Sequence, residues 1–375
     1  MIYLDNAATT YPKPEEVLRT LDQANRTAFN TGRGSYKPAR KLTSIVDTVR
    51  EKIKKLNNIV DGETIFTPSA TQALNDIIFG IDVDDGDNIY ISPFEHNSIV
   101  RPLYQLKKIK NINIHIIPFD KYTWELDINK LKNMFVLHKP KAILLTHVNN
   151  VTGYIMPYEK IFEISFDYNS INILDCSQSY GIIKLNNIKN LNYIVFAGHK
   201  SLYASFGIAG FIKLKNDKLK KSIFGGTGSD TMNHNMPDVF PDGYEAGSPN
   251  IVAICGLNAG IEWLQTKDVY SHEMKLTQYL IDELSKNKKC KLYIPIDYSK
   301  IFGVVSFNID GFSASEIGTI LDDEFDIYVR TGYHCCPLIH EFIESIDKEG
   351  TVRVSLSYFS TKSDIDELIK ALRTI

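Results

Sequence analysis

The chain has 375 residues, which is more than one hydrophobic core usually holds, so we expect a large domain and a smaller second one. Its hydrophobic fraction of 43% and charged fraction of 23% are those of a globular protein and exclude a disordered chain. The net charge of -3, without a basic stripe or a charged tail, argues against nucleic-acid and membrane-surface partners.

The first six residues lack the basic region and apolar run of a secretory signal, and no segment approaches the roughly 18 apolar residues of a membrane span. We therefore expect a cytoplasmic protein. The five cysteines are an odd number in a long chain, which favours reduced thiols over a disulfide framework. Cys335 and Cys336 have no second ligand pair at a zinc-site spacing, so we expect no bound metal.

The pattern of the first two thirds of the chain predicts an α/β fold. Helices are predicted over residues 15–28, entered through proline, and 38–57, where apolar residues recur every three or four positions. Short apolar runs then alternate with helical stretches, which is typical of a mostly parallel sheet covered by helices. The predicted strands are residues 64–67, 88–92, 112–118, 142–146, 171–174, 193–197 and 207–212.

The pattern changes after residue 224, where a stretch rich in glycine and proline continues to residue 249 without a clear period. Such a long loop indicates a functional or interfacial segment. The rest predicts a smaller α+β domain, with two helices from residue 251, strands at 291–294, 302–307 and 351–356, and helices at 313–321 and 363–372. We assign residues 15–250 to the large domain, and residues 1–14 and 251–375 to the small one.

Two charged residues follow neighbouring predicted strands. Lys200 comes directly after the strand at 193–197, where an exposed amine could form a Schiff base, although a solvated surface lysine is the simpler interpretation. Asp175 follows the strand at 171–174, and its carboxylate could keep the ring nitrogen of pyridoxal phosphate (PLP) protonated, or could simply end a strand. One βα unit separates them, so we expect both at one edge of the sheet.

Four further segments carry polar or reactive groups that are suited to a ligand. Residues 69–71 lie between a strand and a helix, which makes either an anion site or an ordinary helix cap. His96 could stack on an aromatic cofactor or exchange protons, and Cys335 could be a reactive thiol or a buried apolar residue. Arg353 is a charge within an apolar strand, so it needs a carboxylate, either from the protein or from a substrate.

Taken together and in order, nine motifs resemble the class V aminotransferase superfamily, and within it the cysteine desulfurases. They are residues 3–10 (YLDNAATT), 30–34 (NTGRG), 70–75 (ATQALN), 95–98 (EHNS), 147–153 (HVNNVTG), 175–178 (DCSQ), 198–200 (GHK), 245–250 (EAGSPN) and 330–335 (RTGYHC). The resemblance implies the fold of type I PLP-dependent transferases, with a seven-stranded, mostly parallel sheet in the large domain.

The resemblance also implies a role for individual positions. The catalytic residues would be Lys200 as the Schiff-base lysine, Cys335 as the thiol that attacks the substrate sulfur, and His96 as the histidine that stacks on the ring. The cofactor would be held by Ala70, Thr71, His96, Asn150, Asp175, Gln178, His199, Lys200 and, from the neighbouring subunit of a homodimer, Thr227. The substrate would be bound by Ala8, Asn150, Arg330 and Arg353.

The implied reaction converts L-cysteine to L-alanine, with the sulfur held on Cys335 as a persulfide until a thiol or a sulfur-acceptor protein takes it. A selenocysteine or cystine lyase, or another class V aminotransferase, is the alternative activity. A PLP-free scaffold in iron–sulfur cluster assembly is a third possibility. Ala197 stands where many relatives place a phosphate-binding serine, and Cys336 stands where a small residue is usual, so both positions depart from the family pattern.

Overall fold

The computed structural model describes residues 1–29, 31, 34, 36–215 and 217–375. Asn30, Gly32 and Arg33 of the 30–34 motif lie outside the described residues. The strands are β1 (Ile2–Tyr3), β2 (Glu63–Thr67), β3 (Asn88–Ile91), β4 (Asn113–Ile116), β5 (Pro140–Thr146), β6 (Ile171–Asp175), β7 (Tyr193–Ala197), β8 (Ala209–Lys213), β9 (Cys290–Leu292), β10 (Val304–Ile309), β11 (Ile327–Tyr328), β12 (Arg330–Gly332) and β13 (Thr351–Ser355).

The helices cover the sheets and connect the strands. They are α1 (Glu15–Thr27), α2 (Lys37–Lys55), α3 (Ala70–Gly80), α4 (Asn97–Lys110), α5 (Ile128–Leu137), α6 (Tyr158–Ser165), α7 (Ile251–Gln265), α8 (Val269–Ser285), α9 (Ala314–Phe325), α10 (Pro337–Phe342) and α11 (Lys362–Thr374). None of the helices in the described part of the chain is both long and apolar enough to cross a membrane.

The large sheet has seven strands in the order β2-β8-β7-β6-β5-β3-β4. Strand β8 is antiparallel to both of its neighbours, and the other pairs are parallel. The predicted mostly parallel seven-stranded sheet is therefore confirmed. Its inner strands are largely apolar on both faces because each face packs into a separate core: along β5, Ile143 and Leu145 belong to one core and Ala142 and Leu144 to the other.

A second sheet, in the order β12-β13-β10-β9, is antiparallel throughout. Three of its strands match the predicted ones, whereas β12 and the short helix α10 were not predicted. Strand β1 pairs in parallel with β11, and Asp5 forms a bridge to Ser355 at the end of β13. The N-terminal segment is thereby attached to the C-terminal part of the chain, and it runs on toward the turn after β7, where Thr10 donates its N–H to the His199 carbonyl (3.2 Å).

Candidate functional site

A cavity lies at the carboxyl ends of the central parallel strands, where ligands bind in α/β sheets. Eight of the predicted site residues line it, namely Ala70, Thr71, His96, Asn150, Asp175, Gln178, His199 and Lys200. The structure therefore brings together residues from five separate segments of the chain. Ala197 lines the same cavity and supplies no hydroxyl there.

Asp175 and Lys200 form the charged centre of this cavity. Asp175 is buried at the end of β6 and accepts hydrogen bonds from the Ser177 backbone N–H (2.9 Å) and hydroxyl (2.5 Å). Burial raises the pKa of Asp175, while the Ser177 hydrogen bonds and the charge of Lys200 act in the opposite direction. Burial also lowers the pKa of Lys200, against the attraction of Asp175. A lysine with a lowered pKa provides the neutral amine that Schiff-base formation requires.

His96 forms the N-cap of α4, and this role fixes its ring. Its Nδ1 accepts the Ser98 backbone N–H (3.1 Å) and lies 2.8 Å from the Ser98 hydroxyl. Burial and the nearby Lys200 lower the pKa of His96 to about 3. The ring is thus neutral at physiological pH, and because Nδ1 is an acceptor, the proton is assigned to Nε2.

The start of α3 supplies an anion site on another wall of the cavity. Ser69 caps the helix by accepting the Gln72 backbone N–H (3.1 Å), and Ala70 and Thr71 begin its first turn. The backbone N–H groups of a first turn have no partner within the helix, and they favour an anion. His199 stacks on Phe206, with ring centroids 4.6 Å apart.

Cys335 lies on a loop that is attached to the rim of the cavity. Cys335 is exposed, and its backbone carbonyl accepts the Asn97 backbone N–H (2.7 Å). Asn150, which lines the cavity, donates its side-chain N–H to the His334 carbonyl (2.8 Å). The buried His334 ring in turn contacts Thr351 of β13 (3.0 Å). The loop is therefore positioned by direct bonds to residues of the site and of the small sheet.

The adjacent thiol of Cys336 has a different environment. It is fully buried, and its Sγ donates to the backbone carbonyl of Glu95 (3.1 Å). Burial raises the pKa of Cys336 well above that of an ordinary thiol. Of the two neighbouring cysteines, Cys335 is therefore exposed and Cys336 is buried.

The structure gives Arg353 a carboxylate partner from the protein itself. Its side chain is 1% exposed and forms an ion pair with Asp5 and a hydrogen bond to the Asn150 carbonyl (3.0 Å). Arg330 lies directly opposite in the register of β12 and β13. The sequence left open whether the carboxylate partner of Arg353 comes from the protein or from a substrate. In the structure this partner is Asp5 of the protein.

Five of the thirteen predicted site residues do not line this cavity. Cys335, Arg330 and Arg353 lie as described above, and Thr227 and Ala8 lie elsewhere. Thr227 lines a separate cleft, together with Arg50 and Glu245, which form a bidentate ion pair (2.6 and 2.7 Å). Ala8 is half-buried in the N-terminal segment, where its neighbour Ala7 accepts the Gln178 side-chain N–H (2.9 Å). Neither residue lines the cavity around Lys200.

The groups of the cavity fit a phosphorylated aromatic cofactor. Asn150 Oδ1 and His199 Nδ1 are buried and have no hydrogen-bond partner within the described ranges. Buried polar atoms without partners are uncommon, and both of these residues line the cavity. The α3 N-terminus suits a phosphate, and the Asp175 carboxylate suits a protonated ring nitrogen.

Sequence reasoning missed some polar residues of the site. Ser98, Thr146 and Ser177 line the cavity, and each bonds to one of the predicted groups or to its neighbour. Ser177 lies two residues after Asp175, a spacing that is typical of a hydroxyl bonding back to a turn carboxylate, so a signal was present. No group of three or more potential ligand side chains that could hold a metal ion occurs in the part of the chain that the structure describes.

The chain is similar to known proteins along nearly its whole length. A cysteine desulfurase of Wigglesworthia glossinidia brevipalpis is 30% identical over 397 residues, which cover 99% of this chain and 92% of that protein. A probable cysteine desulfurase of Methanothermobacter thermautotrophicus is 28% identical over 384 residues, which cover 100% of this chain and 94% of that protein. The solved apo structure of a cysteine desulfurase from Thermococcus onnurineus covers 100% of this chain and 94% of its own, with a TM-score of 0.89 at 26% identity.

The family model of the class-V aminotransferases matches residues 2–368. A match of this length shows that the chain belongs to the class-V aminotransferase family and is a PLP-dependent enzyme.

Proposed function

We propose that this enzyme is an L-cysteine desulfurase, which converts L-cysteine to L-alanine and holds the sulfur on Cys335 as a persulfide. One observation carries the proposal: an exposed thiol lies on a loop that Asn150 and Asn97 attach to the cavity of Lys200 and Asp175. This arrangement supports the proposal, in which the amine would activate the substrate and the thiol would accept its sulfur. The relatives named above carry the same activity in their names.

The residues around the cavity would hold PLP in a defined orientation. Lys200 would bind it covalently, Asp175 would pair with the ring nitrogen, and the neutral His96 ring would stack on the cofactor. The phosphate would lie at the α3 N-terminus, with Ala70 and Thr71. Asn150, Gln178 and His199 would complete the polar contacts of the cofactor. When bound, PLP supplies an aromatic ring that stores the electron pair released at the substrate Cα.

The protein itself would move protons and one sulfur atom. The Lys200 amine removes the Cα proton of the bound amino acid, because its lowered pKa leaves it able to act as a base. The Cys335 thiolate would then attack the substrate sulfur, so that an S–S bond forms on the enzyme as the Cβ–S bond of the substrate breaks. The electron pair of the broken bond stays on the substrate, whose Cβ takes up a proton and becomes the methyl group of alanine. Arg330 and Arg353 would provide positive charge for the substrate carboxylate, and Ala8 would lie at the edge of its site.

Several features of the whole protein belong to the same proposal. Residues 15–250 would form the large domain, and residues 1–14 and 251–375 the small domain that carries the Cys335 loop. A homodimer would place Thr227 near the phosphate of the neighbouring subunit. The persulfide would pass to a sulfur-acceptor protein in the cytoplasm, and iron–sulfur cluster assembly is one process that consumes such sulfur.

The proposal is tested by incubating the PLP-loaded protein with L-cysteine and measuring alanine together with the mass of the Cys335 peptide. We expect alanine and a gain of one sulfur atom on Cys335, and we expect Cys335→Ser to form neither product. If Cys335→Ser consumed L-cysteine at the wild-type rate, the alternative of a lyase would be correct instead. Comparison of L-cysteine with L-selenocysteine and L-cystine would then identify the substrate.

A further inference from the structure

The side chain of Asn150 belongs both to the cavity and to the loop that carries Cys335. Asn150 lines the cavity and is 6% exposed. Its amide donates one N–H to the His334 carbonyl (2.8 Å), and its Oδ1 has no hydrogen-bond partner within the described residues. An amide side chain has two N–H groups and one acceptor oxygen. One N–H and the oxygen therefore remain for a polar group that binds in the cavity.

The backbone around this side chain is held on both sides. The Asn150 carbonyl accepts a hydrogen bond from the buried Arg353 (3.0 Å). The Asn149 side chain accepts the backbone N–H groups of Val151 (3.0 Å) and Thr152 (2.8 Å). A fully bonded buried network of this kind is rigid. A change in the hydrogen bonds of the Asn150 amide is therefore a rotation of its side chain rather than a movement of the turn.

The loop segment that the Asn150 amide holds has an unusual backbone. His334 and Cys335 have φ angles of +48° and +58°, in the left-handed region that residues with side chains rarely adopt. Such a conformation persists only where the surrounding contacts hold it. Two of these contacts come from the site, namely the Asn150 amide and the Asn97 backbone N–H on the Cys335 carbonyl (2.7 Å). Loss of the Asn150 bond should therefore loosen the loop.

We propose that Asn150 couples occupation of the cavity to the position of the Cys335 loop. The inference rests on the proposed function, in which the cavity holds PLP and Cys335 accepts the sulfur. A polar group of the occupant that bonds to the free part of the amide fixes its rotation, and the fixed amide keeps its other N–H on the His334 carbonyl. Toward Cys335, Asn150 is thus a positioning residue. Because coupling is reciprocal, the attached loop strengthens binding of the occupant by the same factor.

Hydrogen exchange of the full-length protein, with and without PLP, measures this coupling. The reporters are two backbone N–H groups: that of Asn97, which bonds to the Cys335 carbonyl, and that of Cys336, which bonds to the Tyr333 carbonyl (3.0 Å). Asn97 begins α4, so its N–H has no partner within the helix. In the wild type we expect PLP to slow both exchanges by about fivefold or more, the value of one hydrogen bond. In Asn150→Ala we expect less than about a twofold change.

Gln178→Ala is the matched control. It removes another amide from the cavity wall, but one that bonds to the Ala7 carbonyl (2.9 Å) and not to the loop. Both variants are compared at the same measured PLP occupancy, and Gln178→Ala should keep the slowing seen in the wild type. If PLP slowed exchange equally in Asn150→Ala and Gln178→Ala, or in neither of them, the coupling through Asn150 would be overturned. A general structural defect raises the rates with and without PLP alike, so it does not produce the expected difference.

A reciprocal measurement covers the case in which Asn150→Ala does not fold. His334→Ala keeps the carbonyl that Asn150 binds and removes the ring contact with Thr351 (3.0 Å), and His334 does not line the cavity. The variant loosens the loop from outside, so we expect its affinity for PLP, measured by equilibrium dialysis, to fall by about threefold or more. An unchanged affinity would contradict the coupling.

These results are separate from the test of the proposed function. If the wild type formed no alanine from L-cysteine while PLP still slowed exchange through Asn150, the proposed activity would be wrong and the coupling would stand. If alanine formed while Asn150→Ala and Gln178→Ala behaved alike, the activity would stand and the coupling would be wrong.

Discussion

Arg330 and Arg353 lie directly opposite each other on two antiparallel strands, and Arg353 has a carboxylate partner whereas Arg330 has no ion pair in the described part of the chain. Two cations at such a position repel each other. Asp5 offsets the charge of Arg353, which is almost completely buried. The charge of Arg330 is left without compensation next to the cavity, and this arrangement favours an anionic ligand such as the substrate carboxylate.

We therefore predict that Asp5→Asn destabilises the protein. The variant leaves the buried Arg353 guanidinium without its carboxylate, and since Asp5 is partly exposed we expect a loss of about 1–3 kcal/mol in the free energy of unfolding. Urea denaturation measures this loss. Asp22→Asn breaks an exposed pair with Arg26 within α1 and should change the stability by less than about 0.5 kcal/mol. Equal effects of the two variants would show that the Arg353 pair has no special role.

The large sheet could be predicted from the sequence, because each of its strands is a short apolar run with a helical stretch nearby. The orientation of β8 could not, since antiparallel and parallel strands that are buried on both faces have the same pattern. Strands β1, β11 and β12 have only two or three residues, too few for a period to be recognised.

Some residues of the candidate site could likewise be predicted from the sequence, and others could not. Lys200, Asp175 and His96 each follow a recognisable strand, so their convergence could be predicted. Asp5 and Arg353 are separated by 348 positions in the sequence, and no local pattern indicates their contact.

The two adjacent thiols should react differently in the native protein. We predict that iodoacetamide labels the exposed Cys335 and reaches Cys336 only after denaturation, because Cys336 is buried and its raised pKa keeps it protonated. Cys336→Ala should retain at least about half of the desulfurase activity, whereas Cys335→Ser should have none. Peptide mass spectrometry and alanine formation measure the two effects. Native labelling of Cys336, or an inactive Cys336→Ala, would instead assign the second thiol a role in the reaction.

Thr227 provides a test of the proposed homodimer. If its hydroxyl reaches the phosphate of the neighbouring subunit's site, Thr227→Ala should weaken PLP binding by about tenfold or more, the value of one hydrogen bond to a charged group. Equilibrium dialysis gives the affinity, and light scattering gives the mass in solution. Thr48→Ala, which removes an exposed hydroxyl from α2, is the control. A monomeric protein that binds PLP equally well with either variant would contradict the dimer.

His147 should make the stability of the protein depend on acidity. Burial lowers its pKa from 6.5 to about 4, and its Nδ1 lies 2.9 Å from the Ser179 hydroxyl. Between these pH values the unfolded chain binds a proton on His147 and the folded protein does not. The contribution of the neutral His147 to the free energy of unfolding is therefore complete above pH 6.5 and is lost as the pH falls toward 4.

His147→Asn cannot bind this proton. Its free energy of unfolding should therefore fall less steeply over that interval than that of the wild type, by up to about 1.4 kcal/mol for each pH unit. Urea denaturation at a series of pH values measures the two slopes. Parallel slopes for the variant and the wild type would show that His147 is protonated equally in both states.

The central claim is that Lys200 carries the cofactor at the site beside which Cys335 lies. Borohydride reduction of the PLP-loaded protein, followed by peptide mass spectrometry, tests it most directly, because reduction converts a Schiff base into a stable bond. We predict a pyridoxyl group on the peptide that contains Lys200 and none in the Lys200→Ala variant. A pyridoxyl group on another lysine of the wild type, or on no lysine at all, would contradict the account.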